Sequence, residues 1–179
     1  MLSLLLIASG AHANPAAADS QEVGPTSIVV FVRHAEKATD DSADPPLTKA
    51  GQARATCLRS VLEPLHPSRL LTSEYKRTQA TLAPASAALG LEAVVIPARE
   101  KDQWLQELRH TEAGTVTVVA GHSNTIPDLV EALGGKLADL DEHGNIPEDQ
   151  YNRMVHLTLD AHGRALSTHT THYCVPGKP

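Results

Sequence analysis

Four side chains suited to one kind of chemistry are spread along the chain: Arg33, His34, Arg77 and His122. Arginine presents a planar fork of N–H donors that matches phosphate oxygens two at a time. A neutral imidazole can attack phosphorus and carry a covalent intermediate. A second imidazole, protonated against a bound dianion, can donate to the oxygens that gain charge in the transition state. Histidine serves either task because its ordinary pKa, about 6.5, lets the surroundings select the protonation state. Together the four could grip and transfer a phosphoryl group. They are accompanied by no Gly-rich phosphate loop, no G-x-S-x-G elbow and no metal-ligand spacing, so no metal or cofactor is expected.

The segments that carry these residues explain how they could meet. Ile28-Val29-Val30-Phe31 is an unbroken, β-branched-rich apolar run, which reads as a central strand of a parallel sheet covered on both faces. Arg33 and His34 follow at its carboxyl end, the rim at which open α/β sheets bind ligands. Thr115 to Ala120 repeats the pattern and leads into Gly121-His122-Ser123-Asn124. Arg77 stands just past a short strand, Arg69 to Thr72, at the opening of a helix. Three strand ends would then bring both guanidiniums and both imidazoles to one rim.

The intervening sequence supplies the rest of an α/β alternation. Thr48 is placed to cap a helix whose inner face is Ala50, Ala53, Cys57, Leu58, Val61 and Leu62, with Pro64 and Pro67 at its end. A helix over 77–89 is interrupted at Pro84 and closed by Gly90. Ala93 to Ile96 forms a third strand, and Trp104, Leu105 and Leu108 mark an amphipathic helix. Another helix has Pro127 in its first turn and buries Leu129, Val130 and Leu133. Residues 151–160 and 164–172 alternate as a hairpin around Gly163. The order β-α-β-α-β-α-β-α-β-β predicts a three-layer α/β/α sandwich with a mostly parallel sheet, as one domain over residues 27–175.

Four blocks follow one another at consistent spacing: Val32-Arg33-His34-Ala35-Glu36, Leu47-Thr48-x-x-Gly51, Ser73-x-x-x-Arg77-Thr78-x-x-Thr81, and Val119-Ala120-Gly121-His122-Ser123-Asn124. In this the sequence resembles the histidine phosphatase superfamily, the phosphoglycerate-mutase-like proteins. The resemblance implies that fold, His34 as the phosphorylated nucleophile, and a phosphate pocket made by Arg33, Arg77 and His122. Asn124 is a candidate substrate contact or the cap of the next helix. The family usually supplies a carboxylic acid to protonate the leaving oxygen. In the mutase branch it is a Glu in the loop after the third strand, where Glu100 stands here. In the acid-phosphatase branch it directly follows the second histidine, where this chain has Ser123. Glu36 is a third candidate, or a salt-bridge partner, and some small members use no dedicated acid. Hydrolysis of a small phosphorylated molecule is the expected activity. The alternatives are a phosphoglycerate-mutase-like transfer, which the lack of long insertions disfavours, and a non-catalytic phosphoryl-binding or sensor protein.

Charge narrows the partners. The formal net charge is −6, with no basic block and no aromatic–basic interleaving, which argues against nucleic acid. A phosphorylated ligand must be caught by local cations working against the global field. Residues 1–13 read as a signal peptide, with Leu2 to Ala8 apolar and Ala11-His12-Ala13 an A-x-A cleavage signature, though no Lys or Arg precedes the apolar run. Residues 14–26 would be a flexible lead-in. The apolar stretch is too short to span a bilayer, so export to the periplasm or beyond, without stable membrane insertion, is expected. Export permits disulfides. Cys57 and Cys174, the only cysteines, could tie the tail to the first helix, or stand apart as a core residue and a surface thiol. His156, His162, His169 and His172 gather near the end. Positions 169 and 172 face opposite sides of a strand, so surface placement is expected rather than a metal site. The sequence carries no signal for an oligomeric state.

Overall fold

The apolar run from Ile28 becomes the centre of a six-stranded sheet. The computed structural model describes residues 24–40 and 42–174. Its elements are β1 (Ser27–Arg33), α1 (Lys49–Leu62), β2 (Arg69–Thr72), α2 (Lys76–Leu89), β3 (Ala93–Val95), α3 (Lys101–Arg109), β4 (Val116–Gly121), α4 (Thr125–Ala132), β5 (Arg153–Leu159) and β6 (Ala165–His172). The strand order is β3-β2-β4-β1-β5-β6. β1 pairs in parallel with β4, β4 with β2, and β2 with β3. β5 returns antiparallel beside β1, and the hairpin through Gly163, at φ 69°, sets β6 antiparallel to β5. The sheet is therefore mixed: parallel among β1 to β4, where helices cross over, and antiparallel at β5, which enters after α4 and a long irregular segment, and at β6, which a tight turn joins to it.

Alternation along β1 builds the three layers. Val29 and Phe31 face a core with Leu105 and Leu108 of α3 and Ile126, Leu129 and Val130 of α4. Val30 and Val32 face the other core, with Leu58 and Leu62 of α1 and Leu82 and Ala85 of α2. All four β1 side chains are fully buried, each worth about 1.5–3 kcal/mol relative to exposure. This double burial fixes the strand in depth and register, and with it the residues that follow its end.

The inner face of α1 differs from expectation. It consists of Gly51, Ala55, Leu58 and Leu62, while Ala50 and Ala53 are exposed. The cause is at the helix start, where Gly51 lies so close to the chain after β1 that an added Cβ would overlap the carbonyl oxygen of Glu36. Helical periodicity alone does not show such a backbone approach. The helix of residues 76–89 runs through Pro84, held against the sheet on either side by Thr81, Leu82 and Ala85, and ends at Gly90 with φ 65°. Asn124 precedes α4 without a side-chain capping bond.

Cys57 and Cys174 form a disulfide between α1 and the end of the chain after β6. The candidate leader and most of the lead-in lie outside the described residues. Among the described residues no helix is long and apolar enough to cross a membrane. The bridge closes a loop with a sequence separation of 117, so its loss releases much chain entropy on unfolding. Replacing both cysteines with serine is expected to lower stability by about 2–5 kcal/mol, read as a fall in the urea midpoint.

Candidate active site

The parallel pairing of β1 with β4 runs in register from Ile28↔Val116 to Arg33↔Gly121. One residue further, the His34 N–H donates to the carbonyl of Gly121 at 2.9 Å. His34 and His122 therefore leave adjacent strand ends side by side, with ring centroids 5.4 Å apart and planes inclined by 63°. They are 4% and 7% exposed.

Burial decides their protonation. It lowers the His34 pKa to about 3, with the positive charges of Arg33, His122 and Arg77 adding to the effect and the bond to Ala35 opposing it. His122 is lowered to about 4 by burial, then by Arg77 and Arg33, against a smaller opposing pull from Glu74. Both rings are neutral at physiological pH. His34 Nδ1 lies 2.8 Å from the carbonyl oxygen of Ala35. A carbonyl only accepts, so Nδ1 carries the hydrogen and the lone pair is on Nε2.

The two arginines are held differently. Arg33 is 1% exposed, and its terminal nitrogens donate to the carbonyls of Pro147 and Glu148 and to the Glu148 carboxylate, the last at 2.6 Å. Its guanidinium also stacks 4.3 Å over the ring of Tyr151. Arg77 stacks 4.2 Å over Tyr75 and reaches the Asp44 carboxylate at 3.6 Å. Each arginine keeps a buried Nε–H without a partner. A buried donor left unpaired is costly, and an oxyanion would satisfy it.

Most of the remaining motif residues act on the backbone around these four. Thr48 caps α1 through Gly51 N–H, and its own N–H donates to Glu36 O at 2.9 Å. Thr81 Oγ1 accepts from Ala35 N–H at 2.9 Å and donates to Arg77 O at 2.7 Å. Glu36 grips Arg54 with both oxygens, the shortest contact 2.6 Å. Burial works to raise the pKa of Glu36, but the hydrogen bonds from Arg54 and the backbone, together with the charges of Arg54 and Arg33, outweigh it and lower the pKa. Ser73 lies beneath His122, its Oγ 3.0 Å from Nε2.

In front of His122 opens a cavity of about 540 Å³, lined by Arg77, Tyr75, Trp104, Arg99, Lys101, Asn124 and Asp128 among others. The structure thus brings Arg33, His34, Arg77 and His122 to one rim, with Asn124 on the cavity wall. It does not bring Glu100 there: that side chain is exposed at the N-terminus of α3, and its neighbours Arg99 and Lys101 line the cavity instead. Sequence reasoning missed Tyr75, Tyr151, Glu148 and Asp128, for which no local pattern gives a signal. Trp104 packs in the core at 3% exposure and also lines the cavity. His169 and His172 are exposed, and His156 pairs across the strands with His169. Among the described residues no group of three or more potential ligands could hold a metal ion.

Residues 29–100 match the model of the histidine phosphatase superfamily, branch 1. No curated protein matches the sequence. A protein histidine phosphatase SixA solved with tungstate is 23% identical, with 82% of this chain and 95% of that one covered and a TM-score of 0.61. A mycobacterial glucosyl-3-phosphoglycerate phosphatase solved with inorganic phosphate is 14% identical, covering 83% and 97% at a TM-score of 0.63. A phosphoglycerate mutase from Plasmodium falciparum is 18% identical, covering 87% and 98% at 0.55. At these identities the likeness is one of fold. The architecture is phosphoglycerate-mutase-like, and the superfamily match spans the first three motif blocks.

The buried imidazoles make stability depend on pH. Both are neutral when folded, and when unfolded both titrate at the ordinary value of 6.5. Below that pH the unfolded chain binds more protons, so stability falls as pH drops from about 6.5 toward about 3. Urea midpoints measured across this window should decline, and a His34→Gln/His122→Gln double variant should show a shallower decline.

Proposed function

We propose that the protein is a phosphatase that hydrolyses a small phosphomonoester through a phosphoryl group carried on His34. One observation carries this reading: a buried, neutral imidazole whose Nδ1–H is held by Ala35, leaving Nε2 as a free nucleophile beside a second imidazole and two arginines. Nε2 attacks phosphorus while the bond to the leaving oxygen breaks. The phosphorylated ring is cationic, and its Nδ1–H still donates to the carbonyl of Ala35, which stabilises that charge. Arg33, Arg77 and a protonated His122 offset the charge on the phosphoryl oxygens. Water then attacks phosphorus, the P–N bond breaks, and phosphate leaves with His34 neutral again.

The leaving oxygen needs a proton. Asp128, itself exposed, is the one carboxyl group that lines the cavity among the described residues and would deliver it, whereas Glu100 does not line the cavity and Glu36 is bound to Arg54. Arg99 and Lys101 on the same wall favour an anionic substrate in a chain of net charge −6. The superfamily match and the phosphatases among the similar structures support hydrolysis. Export is supported by the leader pattern of residues 1–13 and by the disulfide, a bond that persists in oxidising compartments.

His34→Ala is expected to reduce phosphate release from p-nitrophenyl phosphate about a thousandfold or more with the fold retained. Unmodified protein quenched during turnover should carry acid-labile phosphate on His34. Retention of most activity in the variant would dismiss the mechanism. Since arginine and histidine supply all the charge stabilisation in this scheme, EDTA should leave turnover unchanged; strong inhibition would count against it.

A further inference from the structure

A short buried relay of hydrogen bonds runs from His122 away from the cavity. Ser73 Oγ lies 3.0 Å from His122 Nε2 and 2.7 Å from Thr78 Oγ1. Thr78 Oγ1 in turn lies 2.7 Å from the carbonyl oxygen of Tyr75 and 3.2 Å from that of Ser73. Ser73 is 1% and Thr78 0% exposed, so bulk water does not compete for these bonds.

Counting protons gives the relay a direction. Carbonyl oxygens only accept, so the single hydroxyl proton of Thr78 goes to one of them. The short contact between the two hydroxyls then has just the Ser73 proton to fill it, and Ser73 donates to Thr78. Its hydrogen committed, Ser73 Oγ can only accept from His122. Nε2 therefore carries a hydrogen, and the lone pair of the neutral ring is on Nδ1. His122 lines the cavity, and among the described residues its Nδ1 makes no hydrogen bond within the protein.

We propose that Ser73, backed by Thr78, is a positioning residue that holds the Nε2–H of His122 inside the protein and leaves Nδ1 to take up a proton when a phosphoryl group arrives. The kinetic consequence rests on the phosphatase reading; the tautomer does not. Arg77 and Arg33 disfavour an imidazolium here and Glu74 favours it, while the rings of His34 and Tyr75 stand 5.4 and 5.2 Å away. A dianionic phosphoryl group supplies the missing attraction. The imidazolium then has N–H groups on both sides, one toward phosphate and one toward Ser73. Without Ser73 Oγ, the inner N–H of the charged ring would be buried and unpaired, a penalty that weighs more on the charged ring than on the neutral one. The hydroxyl thus raises the pKa of His122 in the liganded state and acts mainly after substrate has bound.

Nitrogen-15 NMR of the unmodified, phosphate-free protein at neutral pH tests the tautomer directly. A pyrrole-type shift at Nε2 and a pyridine-type shift at Nδ1 are expected, and the reverse assignment overturns the proposal. With p-nitrophenyl phosphate, Ser73→Ala should lower kcat by roughly tenfold or more and change KM by less than about threefold. The basic limb of its kcat–pH profile should move to lower pH, and Ser73→Thr, which restores a hydroxyl, should recover much of the loss. Thr78→Val, which keeps the side-chain shape and frees Ser73 to rotate, should shift the same limb in the same direction and serves if Ser73→Ala does not fold. An unchanged kcat and pH limb in folded variants also overturns the proposal. If the unmodified protein releases no phosphate from any aryl phosphate, the phosphatase reading fails instead, and the NMR assignment still decides the tautomer.

Discussion

The register of two parallel strands is the constraint from which the site follows. β1 and β4 are both buried on two faces, so neither can slide without exposing a full set of apolar side chains. Arg33↔Gly121 is the last pair of that ladder, and the first residues beyond it include His34 and His122. Two imidazoles at adjacent strand ends would normally be solvated and free to titrate. Here they are enclosed, and burial together with the nearby guanidiniums keeps both neutral. The folded protein therefore presents fixed positive charge on the arginines and adjustable charge on the histidines, a division of labour suited to capturing a dianion.

Seen this way, the motif blocks divide into groups that face the chemistry and groups that hold the backbone for it. Gly51 is small because the chain after β1 passes against it, and Thr48 and Thr81 each bond a backbone group within two residues of His34. Such contacts fix where the backbone of His34 sits. Arg33 shows the same economy: its terminal nitrogens hold the 147–148 loop through three hydrogen bonds, and its buried Nε–H is left without a partner. The sequence-level picture of two equivalent arginine forks is replaced by two arginines with different degrees of commitment.

Legibility in the sequence follows the range of the interaction. Strand and helix order could be read because alternation, caps and turns are local: Thr48 caps α1, Gly90 closes α2, and Gly163 turns the final hairpin. Arg33, His34, Arg77 and His122 were legible together because strand ends in an α/β sheet converge on one rim, whatever the loops do. What could not be read depends on contacts across long stretches of chain. The inner face of α1 is set by Glu36 rather than by helical period, and Thr125, not Asn124, accepts a hydrogen bond from the His122 N–H. The place of Glu100 depended on a loop length that no pattern encodes.

The site also depends on chain beyond the region that the superfamily model matches. That match ends at residue 100, yet His122, Asn124, Asp128, Glu148 and Tyr151 all lie after it. Tyr151 lies beneath the Arg33 guanidinium, and its carbonyl accepts from the hydroxyl of Tyr173, which is 4% exposed. Tyr173 also donates its backbone N–H to Asn152 at 2.9 Å, and the next residue, Cys174, is bonded to Cys57 of α1. A continuous path therefore links the disulfide to the stacking partner of a site arginine. Because Arg33 has its fork turned toward the 147–148 loop, the orientation of its guanidinium is set by this C-terminal support. The N-terminal half supplies His34; the C-terminal half determines how the charge beside it is aimed.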